Sequence, residues 1–471
     1  MNPAPSKYPA IKGITCNSKN VKKGYAFVAI KGSRSNGSSF IKEAVANGAS
    51  LLVVGEKINK NKIPEKVKIL EVKDCREFLA LAAAEFYGYP CQTLRVAGIT
   101  GTNGKTTISY LIEAIAKASG AQCGVIGTIN YRFKAKTICA RNTTPGPVEL
   151  QELFARMLKS RVKYCAMEVS SHALDQKRVL GINFRQAIFS NLTQDHLDYH
   201  KNLNNYFSAK AKLFRMLGKG GEAIINNDDK YGRRLKQMIG GRVISYGIEN
   251  KSAVMATDIN SVLDGTEFRL IGPGINSRIK THLIGRYNIY NILAAACWGI
   301  SEGLPFKVIK SAIEKFKNVP GRLERIVAGG RRNIFVDYAH TPDALFNVIS
   351  ALRPLTAGKV VVVFGCGGQR DKLKRPKMGR IVSELADYAV ITSDNPRSEP
   401  PLQIIQDIRK GINKDNYRVI PDRFKAIYEA IKLTGKNDCL IIAGKGHEDY
   451  QVLKNKVLRF SDRKAVEKCL R

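Results

Sequence analysis

An apolar run, Leu94 to Thr100, leads straight into Gly101-Thr102-Asn103-Gly104-Lys105-Thr106-Thr107 and then into the helix-like stretch ISYLIEAIAKAS. This junction limits the fold more than any other part of the chain. Glycines let a backbone close around phosphate oxygens, and the N–H groups that open a helix form a nest for an anion. Lys105 supplies charge to the β- and γ-phosphates, and the hydroxyl of Thr106 or Thr107 can ligate Mg²⁺. Gly98 stands one residue too far upstream for the general GxxxxGK[ST] spacing, so the loop is a variant. Strand, phosphate loop and helix in this order point to an α/β fold whose ligands sit at the carboxyl ends of parallel strands.

The rest of the chain fits that class, with β-rich runs alternating with amphipathic stretches and no internal repeat. Three blocks follow. Residues 1–95 end at the polar stretch Tyr87-Gly-Tyr-Pro90-Cys-Gln-Thr93, after a helix-like run from Arg76 to Phe86. Residues 96–324 hold the phosphate loop and the strand candidates YCAMEVS, QAIFSN and EAIIN. Residues 325–471 hold four more, NIFVDY, KVVVVFG, DYAVITS and DCLIIAG, the last three ending in polar or glycine-rich turns. The expectation is a central P-loop-type ATPase domain between a smaller N-terminal domain and a Rossmann-like C-terminal one.

Composition narrows the function. The 77 Lys and Arg against 40 Asp and Glu leave a net charge of +37, which raises the case for a nucleic-acid-binding NTPase. The excess is spread through all three blocks, whereas a nucleic-acid site more often concentrates it on a tail or stripe. A uniformly basic surface suits the capture of polyanionic small molecules, and no specific nucleic acid is expected. No apolar run reaches the roughly 20 residues of a membrane span, and the start MNPAPSKYPAIKG lacks a signal-peptide core. Ten cysteines are scattered without CxxC spacing, as in a reducing compartment. A cytoplasmic monomer is expected.

Further motifs occur in order along the chain: NTTPG (142–146), MEVSSHALDQKRV (167–179), NLTQDHLDYH (191–200), YFSAKAKLF (206–214), GRYNIYN (285–291), PGRLE (320–324), DYAHTPDAL (337–345), GCGGQRDKLKRP (365–376), DNPRSE (394–399) and AGKGHEDYQ (443–451). With GITGTNGKTT, this set resembles the Mur ligase superfamily, which also includes the folylpolyglutamate synthases. Among its branches it is similar to the one that joins meso-diaminopimelate to UDP-N-acetylmuramoyl-L-alanyl-D-glutamate, with ATP as co-substrate and Mg²⁺ as cofactor. A lysine-adding or folate-class ligase is the enzyme alternative. Joining a carboxylate to an amine requires the carboxylate oxygen to become a leaving group, and ATP provides this as an acyl phosphate. The third domain would bring the amino acid to that intermediate and expel water.

The resemblance assigns roles by position. ATP would be held by Gly101 through Thr107, by Asn288 and Asn291 near adenine, and by Arg322 and Asp337 at phosphate and ribose. Catalysis would use Lys105, Glu168, His196 and Lys210. Thr106, Glu168, His196 and Lys210 would hold the metal, with Lys210 carried as a carbamate (N6-carboxylysine). Carbamylation replaces an ammonium, which a metal repels, by oxygens of the kind Mg²⁺ prefers. Taken alone, Glu168 would be a solvated strand-end acid and Lys210 a surface lysine. The muramoyl dipeptide would meet Thr143, Thr144, Ser170, Gln176 and Arg178, with Ser18 on the uridine side. Arg370, Asp394, Asn395, Pro396, Arg397, Gly444 and Glu448 would bind diaminopimelate, Arg397 gripping its distal carboxylate with two parallel hydrogen bonds. The chain departs from the family pattern at Asn17 and Lys19, where Asp and Arg are usual, and at Pro400, where an acidic residue is usual.

Overall fold

The computed structural model describes residues 11–32, 35–326 and 333–470. The chain divides into two compact units, one formed by the described parts of Met1–Thr100 with Ala121–Ala187 and Ala209–Gly221, the other by Gly101–Gly120, Ile188–Ser208 and Glu222–Arg471.

In the first unit, Gly13–Thr15, Tyr25–Val28, Ala49–Val54 and Lys68–Glu71 pair in chain order as a four-stranded parallel sheet. ASLLVV can run through its centre because every side chain but Ser50 is buried. The helix Cys75–Phe86 covers one face with Phe78, Leu79 and Ala83, and Asp74 caps it by accepting from Arg76 and Glu77 N–H. This matches the helix expected over Arg76–Phe86. The strand Arg95–Thr100 pairs in parallel with Tyr164–Glu168, which pairs in parallel with Cys123–Ile126. Asn130–Phe133 and Lys136–Cys139 extend that row antiparallel.

In the second unit the phosphate loop opens the helix Lys105–Ala118. The strand Leu217–Asn226 pairs in parallel with Arg242–Gly247 through Glu222 to Asn226. Three antiparallel strands follow, Val254–Val262, Gly265–Gly272 and Ile275–Thr281. The helix Arg286–Ser301 is buried along most of its length, as NILAAACWG requires.

The C-terminal sheet has six strands in the order Glu324–Ile326, Asn333–Asp337, Cys439–Ala443, Val360–Phe364, Tyr388–Ile391 and Tyr417–Val419, all parallel except the first, and a two-stranded hairpin, Tyr450–Val452 with Val457–Arg459, follows it. Four of the six sheet strands were expected. The two additional ones are three-residue edge strands, too short for periodicity to declare them. Both faces of the sheet are covered by apolar clusters, so its functional residues lie at the strand ends.

Candidate functional site

In the second unit the phosphate loop is held from behind by the segment after Phe189. Thr102 N–H donates to Asn191 O, Asn103 N–H to Asn191 Oδ1, and Ser190 Oγ to Asn103 O. Gly104 has φ +88°, and a Cβ there would lie 2.2 Å from Asn291 Oδ1. Asn291 is buried and donates to Asn288 Oδ1, which makes it a brace beneath the loop. Lys105 Nζ donates to the carbonyls of Gly101 and Thr102 at 2.9 and 2.7 Å, spanning the loop whose anion it would neutralise. Thr106 and Thr107 are both buried.

Two contacts join this loop to the segments around the C-terminal sheet. Arg322 Nη2 donates to Thr106 Oγ1 at 3.2 Å, and its guanidinium lies 4.4 Å from the centre of the Tyr338 ring. Asn103 Nδ2 donates to Asp343 Oδ2 at 2.7 Å. Beside Arg322 and Asn288 opens a cavity of about 480 Å³, lined also by His282, Leu283, Ile284 and Phe335. Its size and mixed lining suit a nucleoside. Asp337 accepts from Leu323 and Ala339 N–H, and burial raises its carboxyl despite the Arg322 charge.

His196 stands at φ +54°, its Nε2 3.4 Å from Asp195 Oδ2. Burial alone would raise the Asp195 carboxyl, but the charges of His196, His340 and Lys374 hold it below its ordinary value.

In the first unit, Thr143, Thr144, Glu168, Ser170, Gln176 and Arg178 form one hydrogen-bonded network. Thr144 Oγ1 donates to Glu168 O, and Ser170 N–H donates to Thr144 Oγ1. Arg178 donates from Nη1 to Thr144 O and from Nε and Nη2 to Gln176 Oε1. Thr128, which sequence reasoning missed, fixes the Glu168 carboxylate from its N–H and hydroxyl at 3.0 and 2.9 Å, and its hydroxyl is 3.1 Å from that of Thr143. Its signal was the turn Gly127-Thr128 after the strand Cys123–Ile126. Ser18 lies apart from this network, donating to Glu43 Oε2 at 2.6 Å, while Asn17 accepts from Lys19 N–H.

Glu168 and Lys210 are both about 1% exposed. A buried carboxylate held by two donors from one side is a hard oxygen ligand of the kind Mg²⁺ takes. Among the described residues no three His, Cys, Asp or Glu side chains gather as a metal cluster. A cation that completes its shell with phosphates and water fits so sparse a donor set.

Three strand ends of the C-terminal sheet, those of Val360–Phe364, Tyr388–Ile391 and Cys439–Ala443, build the remaining pocket. Gly368 N–H donates to Asn395 O, and a Cβ on Gly368 would meet Pro396 O at 2.0 Å, so only glycine lets the two turns touch. Arg397, at φ +54°, donates from Nη1 to Gly368 O at 2.6 Å. Burial, then the neighbouring charge of Arg370, pull its guanidinium below the usual range. Asn395 Nδ2 donates to Glu448 Oε2 at 2.8 Å. Asp394 is buried against Gly444. Glu399 anchors the turn through Arg375, whose side chain is wholly buried, while Pro400 caps the helix Pro401–Arg409. The arrangement presents a cation and an anion in one small space.

Three family models match the chain: "Mur ligase family, catalytic domain" over residues 10–87, "Mur ligase middle domain" over 99–299, and "Mur ligase, glutamate ligase domain" over 321–446. The chain is 42% identical over 462 residues to the UDP-N-acetylmuramoyl-L-alanyl-D-glutamate--2,6-diaminopimelate ligase of Clostridium tetani, covering 98% of this chain and 95% of the relative. It is 43% identical over 460 residues to the ligase of the same name from Bacillus velezensis, covering 96% and 93%. A solved structure of a ligase of that name is 30% identical, with a TM-score of 0.70 over 98% of this chain and 94% of the other.

Proposed function

This chain belongs to the Mur ligase family, and we propose that it couples ATP cleavage to the ligation of meso-diaminopimelate to UDP-N-acetylmuramoyl-L-alanyl-D-glutamate in cell-wall precursor synthesis. The observation that carries the choice of amino acid is the pocket in which Arg397 and Glu448 face each other across Asn395. meso-Diaminopimelate is a lysine with a second carboxylate at its far end. That end is a zwitterion, and a guanidinium paired with a carboxylate is its complement.

The reaction follows from charge. A carboxylate oxygen of the dipeptide attacks the γ-phosphorus of ATP, ADP leaves, and an acyl phosphate forms. Lys105 and Arg322 are the cations suited to the negative charge that spreads during this transfer. The amine of diaminopimelate, after losing a proton, attacks the acyl carbon and expels phosphate. Thr106, Glu168, His196 and a carbamylated Lys210 would hold Mg²⁺, which when bound neutralises phosphate charge. Thr143, Thr144, Ser170, Gln176 and Arg178 offer hydroxyls, an amide and a guanidinium to the muramoyl dipeptide, and Ser18 lies on the uridine side. The domains of this reading are 1–95 for the nucleotide-sugar substrate, 96–324 for ATP and 325–471 for the amino acid.

We place the enzyme in the cytoplasm as a monomer. Among the described residues no helix is long and apolar enough to cross a membrane, and all ten cysteines are free thiols, as a reducing compartment favours. Lys210→Ala should be nearly inactive and partly rescued by short carboxylic acids, which would replace the carbamate oxygens. Full activity of that variant would remove Lys210 from the mechanism. The whole reading is tested by measuring ATP turnover with UDP-muramoyl dipeptide plus diaminopimelate and, separately, with polynucleotide. Stoichiometric amide product is expected in the first case. Stimulation by polynucleotide alone would overturn the assignment.

A further inference from the structure

Lys445 follows the strand Cys439–Ala443, between Gly444 and Gly446, and its side chain is 0% exposed. A buried ammonium must be paired. Its Nζ lies 3.1 Å from Glu448 Oε2 and 3.4 Å from Asn395 Oδ1, with the Tyr450 ring 5.5 Å away. Asn395 closes the triangle. Its Nδ2 donates to the same Glu448 oxygen, and its Oδ1 accepts from Val452 N–H at 2.9 Å. Both side-chain donors therefore converge on Oε2, and no donor among the described residues reaches Oε1.

We propose that Lys445 is a positioning residue of the amino-acid site, holding Glu448 as a carboxylate with Oε1 presented to the distal ammonium of the substrate. The proposal rests on the reading of this pocket as the diaminopimelate site. Asn395 alone could orient the carboxylate, but only Lys445 among the two adds charge. Burial raises the Glu448 carboxyl; the Lys445 charge opposes this, Asp394 adds to the rise, and the Asn395 hydrogen bond opposes it. Arg397, Arg423, Tyr338 and Tyr450 also interact with this group. Without Lys445 the carboxyl would take up its proton at higher pH, and a protonated Glu448 offers the substrate ammonium no charge.

The test compares the parent with Lys445→Met, which keeps length and removes charge, and with Lys445→Arg. In the Met variant the KM for diaminopimelate should rise roughly tenfold to a hundredfold near neutral pH, as for loss of a charged hydrogen bond. The gap should narrow as pH rises, while the KM values for ATP and UDP-muramoyl dipeptide stay at parent levels. Lys445→Arg should restore part of the acid limb. Carbon-13 NMR of the Glu448 carboxyl, identified with Glu448→Gln, should give a higher titration midpoint in the Met variant without any substrate present. An unchanged midpoint, or KM values for all three substrates rising together, would overturn the proposal. If the parent does not ligate diaminopimelate, the substrate reading fails, and the titration still decides what Lys445 does to Glu448.

Discussion

The phosphate loop and the amino-acid pocket belong to the same unit and are built on opposite principles. The loop is a backbone device: Thr102, Asn103 and Gly104 are fixed by carbonyls and amides of the segment behind them and by the Asn291 brace. The pocket is a side-chain device, in which Arg397, Asn395, Lys445 and Glu448 place charges at strand ends. Backbone amides recognise phosphate whatever it is attached to, so the loop can serve any ligase that uses ATP. Placed charges recognise one arrangement of ligand charge, so on the proposed reading substrate choice resides in the pocket. Changes in the loop should therefore lower rate, and changes in the pocket should alter selectivity.

The largest effect should come from the pocket. Arg397→Ala should erase a preference for diaminopimelate over L-lysine on the order of 10³-fold, because with lysine the partly buried guanidinium of the parent gains no substrate carboxylate. Product ratios from mixed amino acids measure this, and a retained preference would break the division of labour. Next, Lys105→Ala should lower kcat by about 10²–10³ with that preference intact, since one preorganised charge over the transferred phosphate is lost. Near-normal turnover at saturating ATP would remove Lys105 from the reaction.

A smaller effect separates backbone from side chain within the loop itself. Gly104→Ala puts a Cβ at φ +88°, which costs about 1–2 kcal/mol, and drives it into Asn291. ATP affinity should fall about tenfold, and adding Asn291→Ala should recover part of it by removing the clash. Strictly additive losses, measured by ATP titration of the single and double variants, would show that Asn291 does not brace the loop.

These two regions also differed in how plainly the sequence declared them. The loop was legible because its conformation is written as glycines, a lysine and threonines at fixed offsets. Arg397 was legible through DNPR at a strand end, but its link to Gly368 was not, since the two turns meet only when parallel strands bring them together. Lys445 was not singled out, because burial is a tertiary property and the chain is rich in lysine. Thr128 escaped because its one mark is the short turn Gly127-Thr128, which carries neither charge nor motif, although it orients Glu168. The antiparallel strands between Val254 and Thr281 were also missed, though Asp264-Gly265 is a strong hairpin signal between alternating runs. Thr257 and Ser261 put polar side chains on the less exposed face, which breaks the apolar half of that alternation.

Competition between meso-diaminopimelate and L-lysine at equal concentration, with the unaltered enzyme, ATP and UDP-muramoyl dipeptide, tests the central claim most directly. Mass spectrometry of the products should give almost entirely the diaminopimelate-containing tripeptide. Comparable yields of the two products would contradict the account, because a pocket that pairs Arg397 with a distal carboxylate cannot accept lysine equally well.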